Sequence, residues 1–190
     1  MQTNSEIDDA ITHAMGLGAF ELVGNPPVLR ILFKPSFHPT VCLTLEQGKL
    51  KVVSLETSVC RQPAPTARPI ASASADFSVE TLMSFGNAMA KMVDGRIKQN
   101  WAVLDGMSVS AVWKDGNKTW RFHDHAHEPQ EEMFFAKFLV AAHAAIADPM
   151  LRNRIAQCAA YVEATLPIEP EPVIAPQVNL LVLGTEDHKK

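Results

Sequence analysis

The chain is poor in the features that would reveal its chemistry. It has only three cysteines, Cys42, Cys60 and Cys158, an odd number with no close spacing. That excludes a disulfide framework and points to a reducing compartment, the cytosol. No apolar run approaches the roughly 20 residues that a bilayer-spanning helix needs. The opening MQTNSEIDD is polar and acidic, without the charged-then-apolar pattern of a secretory leader. No membrane partner is expected. A basic stripe is missing as well: the net charge is −4 and the isoelectric point about 6.0. Nucleic acid is therefore not an expected partner. There is no GxSxG elbow, phosphate-binding glycine loop or HExxH. Gly16-Leu17-Gly18 follows a helix rather than a strand, so it is no dinucleotide fingerprint. No cofactor is expected.

What is present is pattern. With 190 residues, 47% of them hydrophobic, the chain can build one sizeable core. We read one domain over 1–166 and a proline-rich extension over 167–190. The clearest signal is a hairpin: Met107–Lys114 and Thr119–His125 alternate around Asp115-Gly116-Asn117. Asp-Gly supplies the positive φ that tight hairpins need. Alternate strand residues share a face. Met107, Val109, Ala111 and Trp113 therefore join Trp120 and Phe122 on a core face, with the two tryptophans paired across the ladder. Ser108, Ser110, Thr119, Arg121 and His123 fall on the other, partly wet face.

Elsewhere, Ser5 is expected to cap a helix over 6–15, with Asp8 and Asp9 near its positive end. Strands are expected over Val28–Phe33, across Val41, Leu43 and Leu45, and over Lys49–Val59, with Gln47-Gly48 as a turn. The last strand changes phase, so it either bulges near Val52 or is covered on both faces there. Arg61–Pro69 holds three prolines and reads as a surface loop. Ser78 caps a helix to Val93, with Leu82, Phe85, Met89 and Met92 on one stripe. A helix over 129–147 follows the hairpin. Asp148-Pro149 then starts another over 149–165, with Leu151, Ile155, Cys158 and Val162 inward. Pro167–Pro176 is a spacer, and Asn179–Leu183 a short edge strand. The fold class is α+β: an antiparallel sheet of five to six strands with helices packed mainly on one face.

Only one cluster suggests chemistry. In His123-Asp124-His125-Ala126-His127, the first two histidines share a strand face and could hold zinc together with His127. A metal-dependent enzyme is the alternative function this allows. Polar strand ends with solvated histidines are the commoner case. Asp105-Gly106 and Asp115-Gly116 are explained by turn chemistry. Glu128, Glu131 and Glu132 are explained by a helix start. His143 reads as a histidine at a core edge, and Cys158 as a buried, inert thiol.

The succession of LDG (104–106), the hairpin at 115–116, a proline-led helix, DPMLRNRIAQCAAYVE (148–163) and an apolar strand ending in Gly184 resembles a pattern in uncharacterised bacterial cytosolic proteins. Some of these are linked to toxin–immunity loci. The element order also resembles that of class I type III secretion chaperones, which are small, acidic and dimeric. Both resemblances imply a non-enzymatic, protein-binding role in a bacterial cytosol, immunity-like or chaperone-like. The partner would be another protein, a toxin or effector, or a second copy in a homodimer. The face carrying Ser108, Ser110, Arg121 and His123, beside Glu128–Glu132, is the expected partner-binding surface.

Overall fold

The computed structural model describes residues 3–21, 27–59, 68–96 and 106–169. The elements run α1 (Asn4–Ala14), β1 (Val28–Pro35), β2 (Val41–Glu46), β3 (Lys49–Leu55), β4 (Pro69–Asp76), α2 (Val79–Asp94), β5 (Met107–Asp115), β6 (Lys118–His125), α3 (Pro129–Ala145) and α4 (Pro149–Ala159), which ends in a 3-10 turn over Ala160–Val162. The six strands form one antiparallel sheet in the order β4-β3-β2-β1-β5-β6. This is an α+β fold. The expected strand over Asn179–Leu183, most of the spacer at 167–176, Cys60 and residues 61–67 of the expected loop lie outside the described residues.

Two apolar layers flank the sheet. On one side Leu29, Ile31, Phe33, Leu43, Val109 and Trp113 pack against α2, α3 and α4. On the other, Ile11 of α1, Met15 at its C-cap and Phe20 cover Leu32, Cys42, Val53 and Val112. β1 is buried at all eight positions because it lies at the centre of the sheet and is covered on both faces. β3 shows the same double cover at Val52 and Val53, and its ladder becomes irregular only between Ser54 and Leu55.

The local signals act at most junctions. Ser78 accepts from Thr81 N at 3.1 Å, and Asp148 from Leu151 N at 2.9 Å. α1 begins earlier than expected: Thr3, not Ser5, is its cap, in a reciprocal box with Glu6. Gln47 and Gly48 both have positive φ, as a two-residue hairpin turn requires. The sequence pattern missed β4. Its residues PIASASAD alternate without hydrophobic contrast, yet Ala71, Ala73 and Ala75 pack onto the core. Pro69 opens the strand, a position where no ladder hydrogen bond is lost.

Candidate functional sites

The hairpin brings the expected partner-facing residues into one place. Ser110 lies opposite His123, and Trp113 opposite Trp120. The face is partly covered, because α1 lies over it. Ser110 is buried, Ser108 is half-buried, and Arg121 and His123 reach solvent. Beneath α1 sits a buried polar cluster. Lys34 Nζ donates to Asp8 Oδ1 at 2.5 Å and to Ser110 Oγ at 2.8 Å. His123 Nδ1 lies 2.7 Å from Ser110 Oγ and 3.4 Å from Asp8 Oδ2. Burial pushes the Asp8 carboxyl up, but His123, Lys34 and Ser110 together outweigh it and hold it below the usual carboxylate range.

Serine, histidine, aspartate and lysine in contact invite a catalytic reading, which the geometry does not favour. A serine nucleophile needs room for a reacting atom about 3 Å away. Ser110 sits in mid-strand and is 1% exposed. Asp8 and Ser110 both approach the same ring nitrogen of His123, whereas a relay uses opposite nitrogens. The cluster instead pins α1 to β1, β5 and β6.

Arg121 makes a bidentate pair with Glu21, at 2.6 and 2.9 Å. Both side chains are at least half exposed. Arg121→Ala is therefore expected to cost no more than about 1 kcal/mol. A thermal melt within about 3 °C of the parent would agree; a larger loss would give the pair a structural role beyond its exposure.

The histidines do not converge. Among the described residues no three His, Cys, Asp or Glu side chains come together to hold a metal ion. His123 is engaged by Ser110. His125 and His127 each bury an Nδ1 without a hydrogen-bond partner. Asp124 is instead clamped by Arg96, which also holds the fully buried Glu131 at 2.8 Å and stacks over Phe122 at 4.6 Å. Glu131 is thus a core ion-pair partner as well as a helix-start residue. His143 is buried at the core edge, and burial holds it below the usual histidine pKa. Burial pushes the Cys42 thiol up to about 11 and the Cys158 thiol up to about 12, so neither is a ready nucleophile.

A second feature went unnoticed in the sequence. α2 and α3 leave an apolar groove of about 380 Å³ between them, floored by Phe85, Met92 and Phe134. Met133 stands on its lip and is 55% exposed. Lys91 and Lys137 flank it, and among the described residues no carboxylate lines it. The spacing of Met133 and Val140, both exposed on one side of α3, was the available signal.

The fold and these sites define a class by architecture alone, an α+β protein with an antiparallel sheet between helices. Compared with protein-family models, curated proteins and solved structures, the chain matches none.

Proposed function

We propose that this is a non-enzymatic protein-binding protein of the bacterial cytosol, immunity-like or chaperone-like, that holds a toxin or effector segment. The observation that carries this reading is the α2/α3 groove. Its apolar floor, with an exposed methionine at the lip, offers a concave surface that an apolar segment could enter. Methionine also adapts to varied apolar shapes. The two flanking lysines suit an apolar segment bordered by Asp or Glu. The likeness to the secretion chaperones supports this by analogy only, and β4 is a strand that the element order behind it lacks. The hairpin face is a secondary contact region, reached through Arg121 and His123.

Photo-crosslinking tests this. A benzoylphenylalanine placed at Met133, in cells of the organism that makes the protein, is expected to give one dominant adduct. The adduct should map to an apolar segment bordered by acidic residues and should be lost in Lys91→Glu/Lys137→Glu. The same probe at Lys118 should give none. Equal labelling from both positions, or an adduct indifferent to the charge reversal, would overturn the groove as the binding site.

A further inference from the structure

The α1 side of the sheet carries a row of polar residues that the protein-binding reading does not use. Arg30 of β1 lies opposite Thr44 of β2, Thr44 opposite Lys51 of β3, and Lys51 opposite Ser74 of β4. The neighbouring row of Leu32, Cys42 and Val53 is covered by α1. α1 ends at Ala14, and the chain then turns at Gly16, which has φ +70. The polar row therefore lies at the margin of the helix. It opens into a cleft of about 530 Å³ lined by Arg30, Thr44, Lys51 and Ser74, with Lys49 and Glu46 beside them.

Arg30 is the unusual member. It is only 5% exposed, yet among the described residues no carboxylate forms an ion pair with it. Its Nε donates to Thr44 Oγ1 at 3.1 Å, and its Nη1 to the carbonyls of Ala19 and Phe20 at 2.7 and 3.5 Å. None of these bonds uses Nη2. A buried guanidinium normally has a counter-charge, because desolvation without one is costly. Burial lowers the pKa of Arg30, and the Glu46 carboxylate, which lines the same cleft without pairing directly with the guanidinium, opposes this only in part. Lys51 is exposed and also forms no ion pair among the described residues, whereas Lys49 is tied to Asp76. The lining holds three cations and one carboxylate, on a chain of net charge −4.

We propose that this cleft is a binding site for a phosphate group, free or carried on a small ester. Arg30 and Lys51 supply two cations to a dianion, and the Ser74 hydroxyl supplies a neutral donor. The guanidinium fork suits the oxygens of a tetrahedral oxyanion. A phosphate leaves most of the cleft open, so a small organic group attached to it has room. The site lies across the sheet from the α2/α3 groove and stands independently of it.

Thermal unfolding of the full chain tests the site, with inorganic phosphate titrated against sodium chloride at matched ionic strength. Phosphate at about ten times its Kd is expected to raise Tm by about 3–6 °C, and the rise should grow with the logarithm of concentration above that point. Lys51→Glu, an exposed position that spares the core, should weaken binding at least about tenfold; Lys118→Glu should not. Arg30→Gln should abolish the shift if it folds, and Lys51→Glu decides the matter if it does not. Tighter binding of glycerol phosphate than of inorganic phosphate assigns the site to an ester; the reverse order assigns it to the free ion. A rise that stays linear in phosphate concentration rather than logarithmic, one that is equal in Lys51→Glu and parent, or one that acetate matches, would overturn the proposal.

Discussion

Trp113→Ala is expected to destabilise the protein by about 3–5 kcal/mol, the largest loss of any single truncation in the hairpin. The ring is fully buried between β5 and α2. Its fit depends on Gly86, where an added Cβ would lie 2.3 Å from the ring atoms. Gly86→Ala should thus cost about 1–3 kcal/mol by overpacking. The two changes share one volume, so the double variant should lose less than the sum of the singles. Urea denaturation of the three variants reads this directly. Additive losses would show that helix and ring do not compete for the same space. Trp120, its cross-strand partner, is only half-buried, with Nε1 at 3.4 Å from Asp94. Trp120→Ala should cost clearly less than Trp113→Ala.

The second large effect concerns the pin beneath α1. Lys34 and Asp8 are about 95% buried and form an ion pair, with His123 also facing Asp8. Lys34→Met takes the ammonium from the buried Asp8, and Asp8→Ala takes the carboxylate from the buried Lys34. Each is expected to cost about 3–5 kcal/mol. Removing both, as Asp8→Ala/Lys34→Met, should recover much of that, because an apolar pair avoids the desolvation. A double variant as unstable as the worse single would falsify this account. The pair also sets an acid limit. The folded-state pKa of Asp8 is depressed, so its contribution is present above the ordinary aspartate pKa and is lost as pH falls through the folded value. Stability of the parent should therefore decline below about pH 4 more steeply than that of the double variant.

Periodicity made most of the architecture legible. The hairpin register, the Ser78 and Asp148 caps and the buried stripe of Leu151, Ile155, Cys158 and Val162 all follow from residues within a few positions of one another. β4 was invisible because alanine and serine differ too little in hydrophobicity to mark a face. The sites were legible only in part. Ser110 and His123 could be placed on one face because they belong to one hairpin. Asp8 reads as an ordinary acid in a first helical turn, and nothing local links it to Lys34, 26 positions away. Arg30 is equally silent, since its bonds to Thr44 and to the carbonyls of Ala19 and Phe20 emerge only when β1 is flanked by β2 and by the segment that follows α1.

The central place of β1 also governs how the molecule can be made. Its two neighbours are β2, which follows at once, and β5, which is translated much later. Lys34 and Ser110, which share the pin, are 76 positions apart. At a synthesis rate of about 5–20 residues per second, β1 waits about 4–15 s on the ribosome with one long apolar edge unpaired. An N-terminal fragment that stops before β5 lacks both the second edge partner and the hydroxyl that helps seat α1. The sheet can therefore close only after β5 has been made, and a nascent chain stalled before Met107 would be a ready substrate for aggregation or chaperone capture.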